Sequence, residues 1–353
     1  MGLRSNSPSA ERVVPSFDGS EAWRQIVTPV GGFIHAAVER LSSQVQQFEP
    51  EIRDYITFAL DTQGKHLRPV LVALSGMATG AVNDGHVTAA SIVEMVHLAT
   101  LVHDDVMDDA QMRRARPTLA ARWGGHLAVL VGDCLFAHAL KMASSFPTPE
   151  VCRVVSNSTN TVCSGEILQG RHAGNFGLSR EEYFRVIRMK TGELFSLSAD
   201  LGGLLSDATP ASRIALRQYG MSLGTAYQIY DDCLDLFGIE VDVGKTLGSD
   251  LTKGKATLPV ILLLQALPLS ERSSWTERLE SWESHDLLEL RNLLEQHQAL
   301  PKSAATVNEL LQDARRAVHS LPASASRSSL LALPDFLAAQ MSQLLDATKA
   351  PLS

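Results

Sequence analysis

Two short acidic runs carry the strongest chemical signal in this chain. The first is His103-Asp104-Asp105-Val106-Met107-Asp108-Asp109, and the second is Tyr230-Asp231-Asp232-Cys233-Leu234-Asp235. On a helix Asp104 and Asp108 fall one turn apart on one face, with Cβ atoms about 5–6 Å from each other, and Asp231 and Asp235 repeat that spacing. Carboxylates this close repel unless a cation stands between them. Each run ends an apolar helical pattern, where the helix macrodipole adds further negative charge. All-oxygen donors select Mg²⁺ or Mn²⁺ over zinc, and Mg²⁺ keeps waters while binding a few carboxylates together with substrate phosphates. One such run reads equally well as a solvated acidic face. Two point to a di- or triphosphate bridged by metal ions.

Phosphate chemistry also needs direct positive charge, and the sequence offers it in four places. Lys65 and Arg68 lie in Gly64-Lys65-His66-Leu67-Arg68-Pro69, Arg113 and Arg114 follow the first acidic run, Lys190-Thr191 interrupts an apolar stretch, and Lys245 and Lys255 lie in a Gly-rich segment after the second run. Any one alone is an ordinary surface charge; together, beside both acidic runs, they form a complement for bound phosphate. His97, Glu166, Gln169 and Gln228 are polar residues within apolar helical patterns. Such groups need partners when buried, so they either brace helices or face a cavity, and the sequence leaves both readings open.

Helices must position these groups. Apolar residues recur at helical spacing in Thr88 to His103, His126 to Ala143, Tyr183 to Leu205, Ile214 to Leu236 and Leu258 to Leu267, separated by Gly and Pro clusters, and no alternating pattern argues for a sheet. The expected fold is all-α: a single-domain helical bundle over 21–353 with a central substrate cavity, preceded by a loose polar leader over 1–20. Gly238 to Thr257 reads as a flexible cationic loop, and the region after Leu269 as polar helices packed on the outside.

The bulk numbers narrow the classes. A hydrophobic content of 45% in 353 residues supports a sizeable core, and a net charge of −8 gives no footprint for nucleic acid. Cys134, Cys152, Cys163 and Cys233 show neither CxxC pairing nor metal-ligand spacing, which fits a reducing, cytoplasmic setting. No apolar stretch has the length of a bilayer span, so no transmembrane segment is expected. No convincing Ser/His/Asp or Cys/His triad is present either.

The segments GKHLRP, EMVHLATLVHDDVMDDAQMRRARPT, LVGDCLFAHAL, GEILQ, MKTGELF, YQIYDDCLDLFG and GKTLGSDLTKGKATLP, in this order over roughly 60–265, resemble the trans-isoprenyl diphosphate synthase family, in particular its polyprenyl synthases. That resemblance implies a homodimeric enzyme that condenses isopentenyl diphosphate with an allylic diphosphate into a linear all-trans polyprenyl diphosphate. It implies that Asp104, Asp105 and Asp108 hold Mg²⁺ on one side of the allylic diphosphate, with Asp231, Asp232 and Asp235 on the other. It assigns Arg113, Lys190, Lys245 and Lys255 to the allylic diphosphate. Lys65, Arg68, His97 and Arg114 go to isopentenyl diphosphate, and Thr191 and Gln228 to the developing cation. The chain departs from the family pattern at Ala115, where Gly is usual, and at His66, where Arg is common.

If the product runs along the helix that ends at Asp104, one turn of about 5.4 Å matches roughly one isoprene unit. Ala99 and Thr100 are small and Val96 is moderate, which predicts a long-chain product and makes Ala99→Phe a shortening substitution. The alternatives are a geranylgeranyl diphosphate synthase, a class I terpene cyclase, or one subunit of a heteromeric synthase.

Overall fold

The structure is a computed structural model and describes residues 21–61, 64–113, 116–238 and 247–349. The expected leader, Arg114 and Lys245 lie outside the described residues. Helices dominate: α1 Glu21–Val27, α2 Gly31–Ser43, α3 Arg53–Leu60, α4 Leu67–Thr79, α5 Asp84–Met107, α6 Leu119–Trp123, α7 Gly125–Ser144, α8 Glu150–Arg171, α9 Arg180–Ile187 and α10 Glu193–Leu205. The second half adds α11 Pro210–Phe237, α12 Ser249–Thr252, α13 Leu258–Ala266, α14 Leu269–Glu280, α15 Leu287–Gln296, α16 Ala299–Val318 and α17 Ala325–Lys349. The all-α expectation is met, with one small exception. Met112–Arg113 and Arg116–Pro117 pair antiparallel, as β1 and β2, directly after the first acidic run.

Local chemistry sets the helix ends. The Asn83 side chain accepts from the backbone amides of Gly85 and His86, while His86 Nδ1 accepts from the Asn83 amide, a reciprocal cap that starts α5. Ser179 and Glu182 do the same for α9, and Thr209 followed by Pro210 starts α11.

Two large apolar clusters form the interior, and α10 serves both. Phe195 and Ala199 pack with α4, α11, α13, α16 and α17, while Leu194, Leu197 and Leu201 pack with α5, α7 and α8. The C-terminal region therefore corrects the sequence reading. Val307, Leu311, Ala314 and Val318 of α16 are fully buried against the first cluster, so α16 completes the core and does not decorate its surface. Its charged residues are confined to the opposite face, and that dilutes the apolar signal when the stretch is read linearly.

Close approach of α10 and α11 depends on Gly220. A Cβ built there would lie 2.4 Å from the Phe195 carbonyl oxygen, which is backbone and cannot swing aside. Gly220→Ala is expected to destabilise the protein by roughly 1–3 kcal/mol or more, read as a lowered midpoint in thermal or urea unfolding. An unchanged midpoint would show that the two helices separate freely at this crossing.

Candidate active site

A cavity of about 850 Å³ opens between the ends of α5 and α11. Asp104, Asp105 and Asp108 reach its wall from α5, Asp231 and Asp232 from α11, and Lys190 and Thr191 from the segment joining α9 to α10. That segment, Arg188–Gly192, is a π-helical turn, where the sequence predicts one uninterrupted helix from Tyr183 to Leu205. The wider turn shifts the register of the chain by about one residue within an otherwise α-helical path, a device common at functional sites. Gly165 makes room for it, since a Cβ there would lie 2.9 Å from the Lys190 amide nitrogen.

Asp104, Asp105 and Asp108 of the first run are each matched to cations of their own. Lys190 Nζ lies 3.3 Å from Asp104 Oδ2 and donates to Glu166 Oε2 at 2.6 Å and Gln169 Oε1 at 3.0 Å. Arg113 Nε donates to Asp105 at 2.8 Å from β1, where Arg113 pairs with Arg116 of β2. Asp108 accepts from both Lys253 at 2.9 Å and Lys255 at 3.1 Å. The repulsion inferred from the sequence is thus partly relieved by the protein itself. Relief is incomplete: burial, together with the neighbouring Asp104 and Asp108, outweighs Arg113 and raises the pKa of Asp105. Burial, Lys190 and the Asp104 charge together leave Glu166 at about 7.

On the opposite wall Thr191 donates to Gln228 Oε1 at 2.7 Å, Gln228 Nε2 donates to Asp232 at 2.8 Å, and the Tyr183 hydroxyl donates to Asp232 at 2.6 Å. Burial, with Asp250 and Asp231 nearby, holds the Asp232 carboxyl well above the usual carboxylate range. This wall has a deficit of positive charge that a cation would fill.

Asp235 is placed elsewhere. Its carboxylate is fully buried outside the cavity lining, accepting from the Ser249 hydroxyl at 2.6 Å and the Asp250 amide at 3.0 Å, so it caps α12 where the resemblance implies a metal ligand. That cap anchors the segment carrying Lys253 and Lys255. The segment is also tied to the end of α8 through Gly254, whose φ of 66° suits glycine and whose carbonyl accepts from the Gly174 amide at 2.8 Å.

Lys65, Arg68 and His97 also line the cavity, as does Thr100, whereas Val96 and Ala99 do not. The face of α5 turned to the cavity carries Glu94, His97, Leu98, Thr100, Leu101 and Asp104, and Val96 and Ala99 point from an adjacent stripe into the second apolar cluster. Of the three chain-length positions read from the sequence, Thr100 lines this cavity, and Val96 and Ala99 pack in the second apolar cluster.

Lys253, Tyr183 and Glu94 were not assigned from sequence. Lys253 was visible as a lysine two positions from Lys255, and Glu94 as a carboxylate one turn before His97 in an apolar helix; Tyr183 had no distinguishing signal. Burial works against the Glu94 charge, but a hydrogen bond to His66 and the charges of His97, His66 and Arg68 outweigh it and bring its pKa to about 2. A lowered carboxylate pKa contributes stability that is present above the unfolded value and is lost as pH falls. Stability of the protein is expected to decline between about pH 4.5 and pH 2 in part through Glu94, and Glu94→Gln should flatten that acid limb in urea titrations at several pH values. An identical pH slope in the variant would remove Glu94 from this role.

Comparison with known proteins gives the same direction. Residues 49–295 match the profile of the polyprenyl synthetase family. The chain is 38% identical over 232 residues to the octaprenyl diphosphate synthase of Escherichia coli strain K12, covering 66% of this chain and 71% of that one. Two solved structures superpose with TM-scores of 0.84 at 31% identity. The decaprenyl diphosphate synthase of Rhodobacter capsulatus aligns with 90% of this chain and 99% of its own. The polyprenyl synthase of Caulobacter crescentus CB15, complexed with calcium and isoprenyl diphosphate, aligns with 92% and 99%.

Proposed function

The chain belongs to the polyprenyl synthetase family and is a prenyltransferase, and on that footing we propose that it elongates an allylic diphosphate with isopentenyl diphosphate to a long-chain, all-trans polyprenyl diphosphate. The observation that carries this reading is the polarity of the cavity. Carboxylates from both acidic runs and at least four cations share its wall with Leu98, Leu101, Val186, Ile187, Leu194 and Phe195.

Mg²⁺, or Mn²⁺ in its place, fits these residues. Asp104 Oδ1 is buried with no hydrogen-bond partner, an oxygen donor that a bound cation would satisfy. Mg²⁺ binds through a few carboxylates and completes its shell with substrate phosphate and water. Asp104, Asp105 and Asp108 would hold it on one wall, and Asp231 and Asp232 on the other. When bound, it supplies electrostatic stabilisation of the departing diphosphate. Asp235, in its observed place, supports the Lys253–Lys255 segment.

Arg113, Lys190 and Lys255 then bind the allylic diphosphate and stabilise the negative charge that grows as the carbon–oxygen bond breaks. Lys65, Arg68 and His97 hold isopentenyl diphosphate; from the resemblance, Arg114 joins them and Lys245 joins the allylic diphosphate set. Thr191 and Gln228, joined by a hydrogen bond on the cavity wall, would stabilise the carbon that becomes cationic.

A homodimer is part of the proposal. The α7 face bearing Val129 and Leu130 is exposed at 40% and 48%, in a helix whose apolar window is only 44% buried, and a second copy would cover it. Both α5 and α7 are long and apolar enough to cross a membrane by length and composition alone, but 72% of the α5 window is buried. The free cysteines support a cytoplasmic location.

The test is turnover by the purified chain with Mg²⁺, farnesyl diphosphate and labelled isopentenyl diphosphate, followed by sizing of the dephosphorylated products. Linear products longer than geranylgeraniol are expected. Arrest at geranylgeraniol, a cyclic hydrocarbon, or silence until a second protein is added would replace the reading with one of the three alternatives.

A further inference from the structure

Glu94 is an anion in a place built for anions. Its side chain lies on the cavity wall beside Lys65, His66, Arg68 and His97, and Oε1 is 3.2 Å from His66 Nδ1 with the two side chains 10% and 1% exposed. A negative charge here opposes a diphosphate at long range, so its presence needs another explanation. His66 supplies one. It occupies the left-handed region with φ 46° immediately before α4, a conformation that a non-glycine residue keeps only where its surroundings hold it. The pairing with Glu94 is such a hold, and it joins the Lys65–Arg68 turn to α5, the helix that carries His97. Arg68 is braced from another side, its guanidinium 5.1 Å over the Phe195 ring.

We propose that Glu94 is a positioning residue for the isopentenyl diphosphate subsite, fixing His66 so that Lys65, Arg68 and His97 converge on one pyrophosphate group. The inference rests on the subsite assignment made above. The strongly lowered pKa of Glu94 accords with it, since the carboxylate is then ionised throughout the neutral range. Convergence of several long cationic side chains is entropically unfavourable, and a buried paired anion reduces what remains to be ordered on binding.

The test uses the full chain carrying Glu94→Gln, His66→Gln or both. Positioning predicts that KM for isopentenyl diphosphate rises roughly tenfold or more in E94Q, while kcat and KM for farnesyl diphosphate change by less than about threefold. The double variant should be no worse than the more impaired single one, because both break the same link. In a second arm, calorimetric binding of isopentenyl diphosphate and of inorganic pyrophosphate to the metal-free protein should weaken in E94Q. Simple charge counting predicts the opposite sign, since removing an anion from a cationic site should tighten binding. Unchanged or tighter binding, additive losses in the double variant, or equal losses for both substrates with a lowered melting temperature would overturn the proposal. Failure of the wild-type chain to elongate would instead count against the proposed function, and the pyrophosphate arm would still decide the role of Glu94.

Discussion

Asp104→Asn is expected to lower the elongation rate by at least about a hundredfold at saturating Mg²⁺, equivalent to roughly 3 kcal/mol or more of lost transition-state stabilisation. Asp104 is central in two respects. Its Oδ2 lies 3.3 Å from Lys190, while its Oδ1 is buried without a hydrogen-bond partner, an unsatisfied acceptor that a cation would satisfy. Asparagine keeps the shape and one neutral oxygen but removes the charge that a divalent ion needs. The fold should tolerate the change, because Lys190 retains its bonds to Glu166 and Gln169. Steady-state turnover and thermal melting on the same preparation would check both parts. A loss smaller than about tenfold would show that the first acidic run does not carry the metal.

Product length gives the second large effect. Thr100→Phe is expected to shorten the principal product by two or more isoprene units, each roughly one helical turn of about 5.4 Å along α5. Thr100 lies on the cavity wall, so an aromatic ring there projects across the path of the chain. Ala99→Phe, the shortening substitution suggested by the sequence, should behave differently. Ala99 is fully buried in the cluster with Leu194, Leu197 and Leu201, and a phenyl group there overpacks the core at a cost of about 1–3 kcal/mol. Chromatographic sizing of dephosphorylated products, with melting curves for both variants, separates the two. A99F that melts normally and shortens the product would return Ala99 to the chain path.

The difference between these neighbouring residues marks where sequence reading stops. Their order relative to Asp104 was plain, but one residue on a helix is a turn of about 100°, and which stripe faces a cavity depends on what packs against the others. Lys190 illustrates the same point. Its charge within an apolar stretch was conspicuous, yet the π-helical turn that presents it is set by packing against Gly165, which linear periodicity does not encode. Asp235 shows the reverse case. The repeat of Asp at one-turn spacing was read as a repeat of function, and the fold uses that carboxylate to cap α12.

By itself the sequence determined the helical class, the two acidic runs and most of the cations that accompany them, because these depend on residue type and short-range spacing. Tertiary structure decided that carboxylates more than a hundred positions apart share one chamber, and which cation pairs with which carboxylate. It also drew α16 into the core and seated Glu94 against His66. Those outcomes follow from helices meeting at a few faces, where burial, close approach and charge pairing are settled jointly by residues distant in the chain.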